Sequence, residues 1–257
     1  MKIVKPSYEI LTPISEGGIQ ELKHIERIGR VCYKSEDRIT EDGESAKKFV
    51  KMLIDRSHEA ILEHSALSVM FTVDRGVTHE MVRHRIASFA QESTRYCNYN
   101  LGKFGTNITV VIPTEFISDN SLFVRKNGEL VTDLITTAFI EDALASKNVY
   151  DLDEDLKNNY LNQYYWAKGC LEAEENYMHM VGYYNAKPQL ARSVLPNSTK
   201  ANITITANYR EFRNIFDLRC DSYAHPDIQY VMKKLLVEVH DKIPVVFDDL
   251  YEKHIVK

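Results

Sequence analysis

Residues 202–219 read NITITANYREFRNIFDLR. The first seven alternate, with Ile203, Ile205 and Ala207 on one side and Asn202, Thr204 and Thr206 on the other, which is the period of a half-buried strand. After Asn208 the period changes. Phe212, Ile215 and Phe216 recur at helical spacing, so the strand feeds a short helix. A second alternation runs from Ala66 to Val73, with Leu67, Val69, Phe71 and Val73 on one side, and predicts another strand. Farther out, residues 2–4 and 8–11 look extended, and Thr109 to Ile112 is a β-branched run stopped by Pro113. Helical stripes follow Gly17-Gly18 (Ile19, Leu22, Ile25, Ile28, Val31) and recur at Phe49, Val50, Leu53 and Ile54. Thr78 is placed to cap a helix through about Ile86. Lys126-Asn127-Gly128 reads as a turn, and Val131, Leu134, Ile135 and Ala138 as the start of a helix. Leu156 to about Tyr183 is one long tyrosine-rich helix. Pro226 opens a last helix (Ile228, Val231, Met232, Leu235, Leu236), which Pro244 interrupts. These elements do not alternate as β-α-β-α. The expected fold is therefore α+β, a single domain over 1–257 with a central antiparallel-rich sheet flanked by helices.

Composition removes several classes of protein. At 257 residues and 44% hydrophobic, the chain can bury a core. Its 32 Lys+Arg against 37 Asp+Glu leave a net charge of −5, unsuited to a general nucleic-acid coat. The longest apolar run is the four residues Tyr164 to Ala167, too short to span a bilayer. The N-terminal MKIVKPSYEI has no apolar stretch of the secretory kind, so a cytoplasmic protein is expected. Cys32, Cys97, Cys170 and Cys220 lie far apart with no CxxC pair, which speaks for free, mostly buried thiols rather than a zinc ribbon or a redox pair. Neither GxGxxG nor GxxxxGK[ST] occurs, so a phosphate must be held by side chains.

Two segments carry the chemistry. Residues 75–95 hold Arg75, Arg83, Arg85 and Arg95 with His79 and His84, a local charge of +2. Residues 192–219 hold Arg192, Asn208, Arg210, Asn214 and Arg219, with a local charge of +3, so the remainder of the chain is −10. On a helix, Arg83 and Arg85 would point about 200° apart and address different neighbours. Arginines converging from different elements hold an anion bidentately. Asparagines at a strand-to-helix junction offer both donor and acceptor to a ring edge. A solvated basic face and a mere helix cap at Asn208 are the plainer alternatives. His58 and His64 are six apart and His79 and His84 five apart, neither the i, i+4 spacing of a zinc helix, so no metal is expected. Ser93 lacks a GxSxG turn and an assigned base, and reads as a ligand-contacting hydroxyl rather than a hydrolase nucleophile. A non-catalytic nucleotide- or RNA-binding module using the same arginines is the alternative from another class.

Arg83-His84-Arg85, seven residues, then Ser93 is the pattern RHR-x7-S, which resembles the flavin-dependent thymidylate synthases. His58-Glu59 resembles that family's His-Glu element, and Arg95-Tyr96 continues its serine motif. Arg192 near Leu195-Pro196, then Asn208-Tyr209-Arg210, Asn214 and Arg219, match its C-terminal pattern in order. The resemblance covers about 50–112 and 186–240, and leaves 118–165 as a helical insertion. It implies methylation of dUMP to dTMP, with carbon from 5,10-methylenetetrahydrofolate and reducing equivalents from NADPH through FAD. It implies Arg219 as the catalytic guanidinium, facing the N3–O2 edge of uracil, with no cysteine nucleophile. It implies dUMP contacts at Glu80, Arg83, Gln91, Glu92, Ser93, Thr94, Arg95, Arg192 and Arg219. Flavin contacts are implied at His58, Arg83, His84, Arg85, Gln91, Asn208, Tyr209, Arg210 and Asn214. A homotetramer with sites shared between subunits is implied too. Three positions depart from the pattern: Ala60 where a hydroxyl residue can touch FAD, Gln91-Glu92 in place of a Glu-apolar pair, and Tyr223 where a histidine can occur.

Overall fold

The periodicities of the sequence reappear as burial. Leu67, Val69, Phe71 and Val73 are all buried, and so are Ile203, Ile205 and Ala207. The computed structural model describes residues 1–100, 106–125, 127–131 and 134–257. In chain order its elements are β1 (Lys2–Val4), β2 (Ser7–Ile10), α1 (Ile19–Tyr33), α2 (Glu44–Asp55), β3 (Ala66–Asp74), α3 (Arg75–Met81), β4 (Ala87–Gln91) and β5 (Thr109–Val111). There follow α4 (Thr137–Ala145), α5 (Glu154–Met178), α6 (Pro188–Ala191), β6 (Lys200–Asn208), α7 (Tyr209–Arg219), α8 (Pro226–Lys242) and α9 (Asp248–Tyr251). Helix and strand are thus mixed along the chain, which divides into two compact units.

The first unit comprises Met1–Ser7, Thr72–Glu80 and Gln91–Ile203. Here β1 and β5 pair in parallel, with Lys2 opposite Thr109 and Val4 opposite Val111. Its core gathers Ile3, Ile108, Val110, Phe123, Ile140, Tyr160, Ala167 and Tyr177. Asp153 caps α5 by accepting from the Leu156 N–H, as a short carboxylate does best at that position. Trp166 meets Phe116 and Phe123 edge-on at 5.9 and 5.5 Å and donates its indole N–H to Ser198 Oγ at 2.9 Å. Gln163 is fully buried on the same helix. Its Oε1 accepts from the Leu122 N–H at 2.7 Å and its Nε2 donates to the Asn120 carbonyl at 2.9 Å.

The second unit comprises Tyr8–Phe71, Met81–Ala90 and Thr204–Lys257. Its strands stand in the order β2-β3-β6-β4. Helix α1 packs on α2, and α7 on α8. Gly29 is bare because a Cβ there would lie 2.5 Å from the Phe49 ring. Asn208 ends β6 and caps α7, its Oδ1 accepting from the Glu211 N–H at 2.8 Å. One side chain thus closes the strand and opens the helix.

Four boundaries depart from the periodicity. The helix expected from Thr78 to about Ile86 is α3, which starts earlier and ends at Met81. Asp74 Oδ1 takes the Val77 N–H, and Thr78 lies inside the helix with its hydroxyl on the Arg75 carbonyl. Residues 87–91 then form β4, whose weak alternation gave no signal. The helix expected from Val131 begins at Thr137, capped by Thr136, because the Val131 and Ile135 N–H groups are taken by the carbonyls of Phe123 and Met1. The long helix ends at Met178 and passes into a π turn, His179–Tyr183. The short helix at Phe212 extends over all of α7. Of the turn at 126–128, residue 126 lies outside the described residues, and Gly128 has φ +81°. The segment 118–165 carries α4 and the first part of α5. Among the described residues, no helix is long and apolar enough to cross a membrane.

Gln163→Leu is expected to lower unfolding stability by about 2 kcal/mol, since the buried Leu122 N–H loses its acceptor. Chemical denaturation measures it, and an unchanged midpoint would refute the account of α5.

Candidate functional site

In the second unit a cleft of about 670 Å³ is lined by Asn208, Arg210 and Asn214 with Ile86, Leu250 and several ionic groups. The change from β6 to α7 sets this up. Asn208 and Arg210 flank the junction, and Asn214 lies four residues beyond Arg210 on the same helix face. Arg210 is exposed and pairs with Glu63 at 2.6 Å. Tyr209 goes the other way. Its ring is buried 6.0 Å from that of Phe247, and its N–H is donated to the Ser65 carbonyl.

Arg213 was not singled out from the sequence, yet it is the most heavily bonded side chain of the cleft wall. Its guanidinium takes Asp249 with two bonds of 2.7 Å, the Val246 carbonyl at 2.6 Å, and Glu59 at 3.1 Å. Burial acts to lower its pKa, but Asp249 and Glu59 outweigh that and hold it above the ordinary value. Burial likewise acts to raise the Asp249 carboxyl, and Arg213 overrides it and holds Asp249 below the usual range. On the same wall Asp217 accepts from Lys253 Nζ at 2.5 Å and pairs with His254 Nε2 at 3.0 Å, and is held low, first by Lys253.

The turn after α3 replaces the expected helical splay of Arg83 and Arg85 with an alternation. Both arginines are exposed and His84 between them is buried. His84 Nε2 accepts the Arg219 Nε–H at 3.0 Å, and its Nδ1 faces Glu211 Oε1 at 3.5 Å. Burial, then the Arg219 charge, pulls the imidazole down to about 4, so it is neutral at pH 7. Arg219 closes the last turn of α7. His58 precedes a 3₁₀ turn, Glu59–His64, and its Nδ1 meets the Tyr33 hydroxyl at 3.0 Å.

The remaining expected residues lie in the first unit. Glu80 is half-buried on α3, and Gln91 Nε2 donates to Thr78 Oγ1 at 3.0 Å. Glu92 is fully engaged: Lys200 Nζ at 2.9 Å, the Tyr99 hydroxyl at 3.2 Å and the Asn202 N–H at 3.3 Å. Ser93 starts a turn, its carbonyl taking the N–H groups of Tyr96 and Cys97 and its Oγ that of Arg95. Arg95 lies over the Tyr96 ring at 5.6 Å. Thr94 is buried, and Arg192 Nη1 donates to its hydroxyl at 3.4 Å. Thr94 and Arg192 line a cleft of about 380 Å³ together with Arg75. Two guanidiniums and a hydroxyl around one hollow suit an oxyanion.

Signals for the missed residues existed. Asn208-x-x-Glu211 is a capping-box spacing that draws Glu211 into the site. Arg213 stands three residues after Arg210, in the same basic stretch. Asp249 and Lys253, far along the chain, had none. The four cysteines are free; Cys170 and Cys220 are buried, and burial pushes both thiols up to about 12, against thiolate chemistry at either. Among the described residues, no three His, Cys, Asp or Glu side chains gather as metal ligands.

A protein family described as thymidylate synthase complementing protein, Thy1, matches residues 19–245. The chain is 28% identical over 240 residues to the flavin-dependent thymidylate synthase of Corynebacterium aurimucosum, covering 93% of this chain and 83% of that one. It is 30% identical over 226 residues to the enzyme of the same name from Mycobacterium sp. strain KMS, covering 88% and 78%. The fold is similar to that of thymidylate synthase X from Helicobacter pylori, solved with FAD and dUMP: TM-score 0.61, 21% identity, 95% of this chain and 98% of that one. It is similar also to the UMP/dUMP methylase PolB from Streptomyces cacaoi bound with 5-Br dUMP: TM-score 0.65, 19% identity, 98% and 97%.

Asp249 has a pKa below its unfolded value, so the stability it contributes is present above the unfolded carboxyl range, about 4, and is lost as pH falls through and below it. Thermal unfolding from pH 7 down to 3 is expected to show Tm falling more steeply for the wild type than for Asp249→Asn. Parallel curves would refute the coupling to Arg213.

Proposed function

The chain belongs to the Thy1 family, the thymidylate synthase complementing proteins, and on that premise we propose that it is a flavin-dependent thymidylate synthase, converting dUMP to dTMP. The carbon comes from 5,10-methylenetetrahydrofolate. Turning a methylene into a methyl needs two electrons, and these come from NADPH, so folate leaves as tetrahydrofolate and NADPH as NADP⁺. When bound, FAD relays those reducing equivalents to the nucleotide.

The cleft of the second unit suits the flavin. Its amides Asn208 and Asn214 offer donor and acceptor to a ring edge, Arg210 offers a cation, and Ile86 and Leu250 an apolar surface. The family pattern also assigns flavin contacts to His58, Arg83, Arg85 and Gln91; His84, buried with its Nε2 taken by Arg219, and Tyr209, buried in the core, support the cleft from within. Arg192, Thr94, Ser93 and Arg95 are the proposed holders of the dUMP phosphate side, with Glu80 and Gln91 of the same unit, and the family pattern assigns Arg83 to dUMP as well. Glu92, already taken by three donors, serves by fixing that loop. The family pattern implies a homotetramer whose sites draw on more than one copy, so one chain need not supply every contact.

Arg219 is the proposed catalytic residue. C5 of uracil is a weak nucleophile. A guanidinium at the N3–O2 edge stabilises the N3-deprotonated ring and pushes electron density toward C5 without a covalent adduct. Neutral His84, accepting from Arg219 Nε, leaves the guanidinium charge undiminished.

The whole chain, 1–257, is proposed to act as one such catalytic domain, cytoplasmic, with 118–165 as its added helical segment and small molecules as its partners. An antiparallel centre to the four-stranded sheet is supported by its side-chain pairs: as β3 advances from Ser68 to Thr72, the partners recede from Thr206 to Asn202. The observation that carries the functional reading is the convergence of Asn208, Arg210 and Asn214 on one cleft.

Purified protein is expected to take up FAD with visible absorption that NADPH bleaches; a protein that stays colourless with added FAD would overturn the reading. Arg219→Ala is expected to lose dTMP formation by about 100-fold or more while still binding flavin. Near-normal turnover would refute its role.

A further inference from the structure

We propose that Glu211 is a positioning residue of the reaction, aiming the Arg219 guanidinium through His84. This rests on the reading of Arg219 given above, and extends it to a side chain to which the family pattern assigns no role.

The geometry is a relay with one order of protons. Arginine is a donor only, so the 3.0 Å bond from Arg219 Nε requires a bare lone pair on His84 Nε2. A neutral imidazole then carries its proton on Nδ1, the nitrogen that faces Glu211 Oε1 at 3.5 Å. With the proton on Nε2 instead, two N–H groups would point at each other and the arginine would swing away. The negative charge of Glu211 on that side favours the tautomer that Arg219 needs.

The placement of Glu211 is otherwise hard to explain. It stands at the third position of α7, where a glutamate commonly turns back to its own N-cap residue. Here the Asn208 half of that cap is made, at 2.8 Å, but the carboxylate faces His84 and the Asn214 amide, which lies 3.4 Å away. It is 6% exposed and His84 is 5% exposed. A carboxylate so buried needs compensation, and the N-terminal dipole of α7 together with the imidazole N–H provides it. The same carboxylate thus restrains Asn214 on the flavin side and His84 on the arginine side.

The tautomer is directly measurable in the flavin-free protein. Histidine labelled with ¹⁵N, with the His84 signal assigned by its loss in His84→Gln, is expected to show a protonated Nδ1 and a bare Nε2 from about pH 6 to 8. A protonated Nε2, or an imidazolium, would overturn the proposal whatever the activity. Glu211→Gln keeps an acceptor for Nδ1–H, so its kcat at saturating dUMP is expected within about threefold of wild type. Glu211→Leu removes the acceptor and is expected to lower kcat about 100-fold and to mix the His84 tautomers. Equal impairment of the two variants, or a leucine variant with wild-type kcat, would overturn the assignment. If the leucine variant does not fold, the glutamine variant and the wild-type tautomer decide. A wild type that makes no dTMP counts against the proposed activity, while the tautomer still judges Glu211.

Discussion

The second unit depends on the buried guanidinium of Arg213. Burying an arginine is costly unless every face of it is met, and here a carboxylate meets it bidentately, a carbonyl caps it, and a second carboxylate completes the set. Arg213 stands on α7, and its partners are Glu59 in the turn after His58, the Val246 carbonyl just before α9, and Asp249 in α9. One side chain therefore fixes three walls of the cleft at once. Because Arg213 is spent in this way, it serves as framework, whereas Arg210, three residues earlier, is exposed and paired only at the surface with Glu63. Two arginines one turn apart on α7 thus differ in depth: Arg213 is buried among its partners, and Arg210 is exposed.

The first unit solves a similar problem with a carboxylate. Glu92 is anchored by Lys200, Tyr99 and the backbone of Asn202. The loop that follows is tightened by two backbone bonds to the Ser93 carbonyl. Short side chains on a clamped loop lose little freedom when they bind, which is the benefit of preorganisation. The acidic excess of the chain is consistent with this. Several of its carboxylates, among them Glu59, Glu92 and Asp249, hold the positive groups Arg213 and Lys200 in place.

Periodicity made most of the fold legible. The strands around Val69 and Ile205 and the helices around Leu22, Phe49 and Leu235 carry strong apolar stripes, because one face of each must be buried. The misses came where hydrogen bonding decided and apolar pattern did not. Met81 ends α3 with no glycine or proline to mark the stop. Val131 and Ile135 have helical spacing, but their N–H groups are claimed by distant carbonyls. At the site, the residues carried by local motif (Asn208, Arg210 and Asn214) do line one cleft. Tyr209, from the same motif, turns into the core, as the switch from two-residue to helical period at Asn208 demands. Asp249 was invisible because its importance lies in reaching Arg213, a pairing set by tertiary packing 36 residues away in sequence.

The alternation at residues 83–85 divides three adjacent side chains between solvent and interior. Arg83 and Arg85 face outward while His84 is enclosed. The outer pair can be exchanged without disturbing the packing of the unit. The middle position cannot, because an apolar or cationic side chain there would remove the acceptor of the Arg219 Nε–H inside the fold. A motif that reads as a single block is two physical environments sharing one short stretch of chain.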